Sequence, residues 1–289
     1  MKLKTAIRRF ETQLIADGKS DHTRTAYLRD IGLFMGWLAD KDISKIKPDV
    51  IARFFVSDNV KLSSNGKARA AISVNRIKTS IRTFFNYLVE AGYLKQSPAR
   101  LIKAAKTSRK VPETLVDDDA KQLLDTIKQS KSELAKRDHA IISLLLATGI
   151  RLSSLCNLNS GDVMIKKGII KITAKGGREE TVFISPKLKQ VLRKYLADST
   201  SNDAPLFQSR HGRRLCRRQI QMRVAMWLKA SGINKGSVHT LRHTFATKLY
   251  DRTRDLYLVQ KALGHQQITS TEIYTKVSNR SLQKAINLL

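Results

Sequence analysis

Residues 97–112 read SPARLIKAAKTSRKVP, a basic stretch poor in large apolar side chains and closed by Pro112. Such a run gives a hydrophobic core little to bury, so the segments before and after it must fold around separate cores. Length agrees, because 289 residues is about where one core stops growing and a chain divides. The expected organisation is a domain over 1–102, a basic linker over 103–112 suited to lying along phosphates, and a second domain over 113–289.

The first hundred residues carry helical periodicity. TAIRRFETQLIADG places Ile7, Phe10, Leu14 and Ile15 on one stripe closed by Gly18, and HTRTAYLRDIGLFMGWLAD continues with Tyr27, Leu28, Ile31, Phe34, Met35 and Leu38. KPDVIARFFVSD puts Pro48 in a first helical turn. AISVNRIKTSIRTFFNYLVEAGYL is a long amphipathic helix that breaks near Gly92. Four or five helices make a bundle with Arg and Lys on its polar faces. Beyond the linker, DDDAKQLLDTIKQ starts a helix that an Asp can cap, and KRDHAIISLLLATGIR is an apolar helix ending at Gly149. GIIKITA and ETVFISP are short β-rich runs around KGGRE, a hairpin signal. The remainder reads as helix, so the fold class is mainly α with a small antiparallel β-sheet.

Charge narrows the partners. Lys and Arg number 54 against 24 Asp and Glu, a formal net charge of +30. Residues 1–110 hold 23 basic and 9 acidic side chains, and residues 111–289 hold 31 and 15. Two folded basic bodies on one chain suggest a clamp around a polyanionic duplex, whereas a basic tail would load one end only. No window of about 18 apolar residues exists, so no membrane span is expected, and the amphipathic N-terminus reads as a helix, not a signal peptide. Cys156 and Cys216, without a CxxC pattern, point to reduced thiols in a cytoplasm and away from zinc or disulfides.

Four segments of the second half carry polar residues that a core does not need. In ATGIRLSSLCNL, Arg151 sits among Leu152, Leu155 and Leu158, where its charge must be paired. Lys175 stands at the hairpin tip of ITAKGGREETVFI, which lacks the strand–loop–helix context and GKS/GKT ending of a P-loop. VHTLRHTFATKL sets His239 and Arg242 on one helical face, suited to gripping one anion, without the pattern of an HExxH zinc site. LVQKALGHQQITSTEIYT reads as a helix, a break at Gly264 before His265, and a second helix from Thr269 or Ser270 that carries Tyr274. Jointly, these residues match phosphoryl transfer without metal. Arginine forks neutralise phosphodiester oxygens, histidines move protons near neutral pH, and a lysine can protonate a departing hydroxyl. A tyrosine, with pKa about 10, becomes a nucleophile beside concentrated positive charge. No carboxylate cluster suits two Mg²⁺ ions, and no cofactor is expected.

The set TGIRLSSL, KGGRE, HTLRHTFAT and LGHQQITSTEIYT closely resembles the tyrosine recombinases (the phage integrase family), and the chain's size resembles that of the simple Xer-type members. The motifs cover residues 145–277, and the helical N-terminal half resembles the family's SAM-like core-binding domain, leaving the mixed α/β catalytic domain to the second half. The resemblance implies that Arg151 and Arg242 hold the scissile phosphate and that Lys175 is the general acid for the 5′-hydroxyl. His239 and His265 would assist by proton transfer or hydrogen bonding. Tyr274 would attack phosphorus to give a 3′-phosphotyrosyl link without ATP. It further implies double-stranded DNA with a specific site as partner, a homotetramer on synapsed sites, and room for a heteromeric partner recombinase. The C-terminal SNRSLQKAINLL, with Leu282, Ile286 and Leu289 at helical spacing, would pack on a neighbouring protomer or fold back on its own domain.

One position departs from the pattern. Where the family's arginine motif carries an acid three residues on, this chain has Ser154, which removes a support for His239. Three activities therefore stand beside one another: a strand-exchanging recombinase in the cytoplasm on the nucleoid, a type IB-like topoisomerase, and a DNA-binding relative with weakened chemistry.

Overall fold

The computed structural model describes residues 1–106, 112–173, 177, 179–197 and 201–264. Contacts divide the chain into two compact units, Met1–Arg109 and Lys110–Leu289, each around its own core.

The first unit is helical: α1 (Leu3–Ala16), α2 (Asp21–Leu38), α3 (Pro48–Val56), the short α4 (Asp58–Lys61) and α5 (Ala71–Glu90). Ser20 caps α2 by accepting from the Thr23 amide, and Pro48 opens α3 as its spacing predicted. The helices close on aromatic rings. Phe34 meets Phe54 edge-on at 5.0 Å between centroids, and Phe10 meets Phe84 at 5.4 Å. Such pairs favour edge contacts because ring faces are negative and edges positive. Asp30, fully buried, accepts from the Ser80 hydroxyl at 2.9 Å and pairs with Arg76. The strand of chain after α5 is pinned to it: Asn75 and Ala105 exchange two hydrogen bonds of 2.8 Å, and Lys78 donates to the Lys103 carbonyl. Of the linker expected over 103–112, residues 107–111 lie outside the described residues, and 103–105 belong structurally to the first unit.

The second unit is organised on α7 (Ala135–Thr148), which packs against α6 (Asp117–Gln129), α9 (Pro186–Leu196), α10 (Arg217–Ala230) and α11 (Val238–Thr253). The expectation of an Asp cap on α6 is corrected. Val116 occupies the cap without a side-chain bond, and Asp117, Asp118 and Asp119 fill the first turn, where negative charge complements the helix dipole. The remaining helices among the described residues are α8 (Leu152–Asn157) and α12 (Leu256–Leu263). Among the described residues one antiparallel sheet forms, in order β1 (Val163–Met164), β2 (Ile169–Thr173) and β3 (Glu179–Phe183). Ile172 faces Glu180 and Thr173 faces Glu179 across β2 and β3.

A single carboxylate braces α7. Asp138, 1% exposed, accepts from Arg137 Nε at 3.0 Å and Nη2 at 2.8 Å, from Arg223 Nε at 2.7 Å and from Trp227 Nε1 at 2.8 Å. Arg137 spends Nη1 on the Gln208 carbonyl at 2.7 Å. Two guanidinium groups and an indole thus fix the N-terminal end of α7 to α10, at the end of the helix opposite Gly149.

Candidate active site

Two helices of the second unit end on left-handed glycines. Gly149 closes α7 at φ 60°, and Gly264 closes α12 at φ 59°, a conformation that a residue with a Cβ adopts only under strain. A helix end leaves carbonyls without intrahelical donors and carries partial negative charge. Both ends find arginines. Arg242, buried on α11, donates from Nη1 to the Gly149 carbonyl and from Nη2 to the Leu263 carbonyl at 2.8 Å. Arg151, half-buried at the start of α8, donates from Nη2 to the Gly264 carbonyl. Sequence reading demanded a partner for Arg151, and the helix-end carbonyl of Gly264 supplies one.

The two arginines, 91 positions apart in the chain, therefore converge on consecutive carbonyls of Leu263 and Gly264, directly before His265. His239 lies three residues before Arg242, exposed on the first turn of α11. That turn is set by a capping box, in which the Ser237 amide donates to Thr240 Oγ1 at 3.0 Å and the Ser237 side chain accepts in return. Thr244 then accepts from the Leu115 amide at 2.8 Å, which fixes the helix against the start of the unit. His243, one turn beyond His239, has its proton affinity lowered first by burial and then by the neighbouring charges of His239 and Arg242.

Lys175, His265 and Tyr274 lie outside the described residues, as do the helix expected from Thr269 or Ser270 and the C-terminal SNRSLQKAINLL. Their flanks are placed: Thr173 ends β2 two residues before Lys175, and Gly264 precedes His265. Ser154, 3% exposed, donates to the Thr173 carbonyl at 3.2 Å. Its hydroxyl thus ties α8 to the strand that leads to Lys175.

Sequence reasoning missed Glu180. Its carboxylate Oε2 lies 2.6 Å from the point where a Cβ on Gly264 would stand, and Arg151 Nη1 lies 3.1 Å from the same point. The signal was in the alternation of EETVF: Glu180 shares the more buried face of β3 with Val182, while Glu179, Thr181 and Phe183 are exposed. A cavity of about 360 Å³ elsewhere in the unit is lined by His139, Ser143, Leu124, Leu146, Leu188 and Val191. It contains none of Arg151, His239 or Arg242. Among the described residues no helix is long and apolar enough to cross a membrane.

Comparison with known proteins places this constellation. Residues 113–280 match the phage integrase family, and residues 7–92 match the phage integrase N-terminal SAM-like domain. The chain belongs to the phage integrase family, and by its relatives it is a tyrosine-type site-specific DNA recombinase. It is 36% identical over 275 residues to tyrosine recombinase XerC of Thermodesulfovibrio yellowstonii, covering 92% of this chain and 89% of that one. It is 32% identical over 277 residues to tyrosine recombinase XerD of Oceanobacillus iheyensis, covering 93% and 92%. Among solved structures, XerH site-specific recombinase bound to palindromic difH substrate in a post-cleavage complex superposes with a TM-score of 0.77 at 22% identity, covering 96% of this chain and 84% of that one. A lambda integrase dimer bound to a COC′ core site superposes at 0.74 with 21% identity, covering 93% and 97%. The mainly α fold with a small antiparallel sheet expected from sequence is the fold these neighbours share.

Proposed function

We propose that this chain recombines DNA at a specific site by a tyrosine-linked phosphoryl transfer. The observation that carries the reading is the convergence of Arg151 and Arg242 on the Leu263–Gly264 turn, one residue before His265. Two guanidinium forks in one partly buried place stabilise the doubly negative oxygens of a phosphorus centre under attack. Their acceptors among the described residues include the carbonyls of Gly149, Leu263 and Gly264, neutral groups that a phosphate's full charge outcompetes. In this reading Tyr274 attacks phosphorus and expels a 5′-hydroxyl, to which Lys175 gives its proton. His239 and His265 donate hydrogen bonds or carry protons. A second strand's 5′-hydroxyl then attacks the 3′-phosphotyrosyl link, returning the tyrosine and conserving the phosphodiester bond count.

Residues 1–102, with 103–105 pinned to them, serve as the core-binding domain, the rest of the basic 103–112 stretch as the linker and 113–289 as the catalytic domain, the two basic bodies clamping duplex DNA. The working assembly is a tetramer on two synapsed sites, as supported by a lambda integrase tetramer bound to a Holliday junction with TM-score 0.74. A second recombinase of the same family is a fitting partner, since the chain resembles both XerC and XerD proteins. The place of action is the nucleoid in the cytoplasm.

A nicked suicide substrate carrying the true site tests the chemistry. The unsubstituted chain forms a denaturant-resistant protein–DNA adduct, and Tyr274→Phe abolishes it. An adduct that persists in the Phe variant would refute the nucleophile.

A further inference from the structure

We propose that Glu180 is a positioning residue for Arg151, supplying from strand β3 the negative charge that α8 does not provide at Ser154. This rests on the phosphate-holding role of Arg151 proposed above.

The argument begins with Ser154. It lies three residues after Arg151 on α8, where an acid would be one helical turn from the guanidinium. Here the side chain is a buried hydroxyl, and it is turned to the Thr173 carbonyl. No charge reaches Arg151 from its own helix. Strand β3 brings one instead. The pairing of Glu180 with Ile172 sets it one residue along from the Thr173 position that Ser154 holds, so the same α8–β2 contact that consumes Ser154 fixes the height of Glu180. On that strand Glu180 takes the partly buried side, although its neighbours Glu179 and Thr181 are exposed.

Gly264 shows how close the charges come. Glu180 Oε2 and Arg151 Nη1 stand 2.6 and 3.1 Å from the single point a Cβ there would occupy. The absent side chain of Gly264 is the space that the carboxylate and the guanidinium share. Arg151 is thus anchored by the Gly264 carbonyl through Nη2, while Nη1 faces a region of negative potential from Glu180. A long arginine held only by one carbonyl keeps much rotamer freedom; a carboxylate beside its second nitrogen restricts that freedom and orients the fork. Glu180 also offsets the mutual repulsion of Arg151 and Arg242 before any phosphate arrives. Because it sits on the hairpin that carries Lys175, it couples the arginine to the strand that delivers the general acid.

The test uses the full chain, the suicide substrate under single-turnover conditions, and site affinity measured separately. Glu180→Gln is isosteric and neutral; Glu180→Asp keeps the charge. Glu180→Gln should lower the cleavage rate constant at saturating DNA about tenfold, since small misplacement of a catalytic fork is costly, while affinity for the site changes less than about twofold. Glu180→Asp should recover a substantial part of the lost rate. The inference is overturned if Glu180→Gln cleaves at or above the unsubstituted rate, which would make the carboxylate idle or repulsive to phosphate. It is equally overturned if affinity falls in step with rate and Asp recovers nothing, the pattern of a folding role. Failure of the unsubstituted chain to form any adduct would instead sink the proposed function.

Discussion

Replacing Gly149 by alanine places a methyl group at the join of α7, α11 and α12. The added Cβ would overlap the Phe245 ring edge and stand 3.0 Å from Leu263 Cδ2. Two costs arise. The left-handed backbone at φ 60° strains a residue with a Cβ by about 1–2 kcal/mol. Overpacking against an aromatic ring and a leucine adds about 1–3 kcal/mol. The expected loss is about 2–5 kcal/mol, and for a unit of this size each kcal/mol lowers Tm by about 2–4 °C. Gly232→Ala is the matched control: it too has positive φ, at +74°, but nothing lies within 4 Å of its Cβ, so it bears the backbone cost alone. Trp37 and Trp227 fall in different units, so in a Trp37→Phe background the fluorescence of Trp227 follows the second unit by itself. Gly149→Ala should melt below Gly232→Ala by the overpacking contribution. Below its melting range it should still cleave the suicide substrate slowly, because the Gly149 carbonyl is an acceptor for Arg242 and the methyl group displaces it. Equal Tm values for the two variants, with undiminished cleavage, would refute the claim that α7, α11 and α12 meet this tightly at the site.

Two further outcomes bear on the frame around the site. Asp138→Asn keeps the shape but removes the charge opposite Arg137, which is 7% exposed; leaving a buried charge uncompensated should cost about 3–5 kcal/mol, read as a lower urea midpoint, and a midpoint within error of the parent would discount the brace. His139 and His243 both hold their protons less tightly than free histidine, chiefly through burial. The unfolded chain therefore binds more protons below the free-histidine pKa of about 6.5. Stability should decline as pH falls from there until the folded pKa values are passed. His139→Gln should flatten that decline, and identical pH profiles for parent and variant would remove His139 from the account.

Much of this protein was written in its sequence. The helical stripes of the first hundred residues, the glycine stops at Gly18, Gly92, Gly149 and Gly264, and the EETVF alternation each express local physics: side-chain periodicity and the freedom of glycine at positive φ. The spacing of Arg151, His239 and Arg242 was legible for the same reason, because the residues themselves carry the chemistry. What the sequence could not supply was which groups answer those charges. The partners of the two arginines are backbone carbonyls, which every residue possesses and no sequence advertises; only the meeting of α7, α11 and α12 selected those of Gly149, Leu263 and Gly264. Likewise Ser154 read as a missing acid, and the EETVF alternation could mark Glu180, 26 positions on, as inward-facing but not name the group it faces. A strand register brought that carboxylate to the side of Gly264 opposite a guanidinium. Periodicity fixes what an element is, but charge pairing across elements depends on distances that arise only when the elements pack.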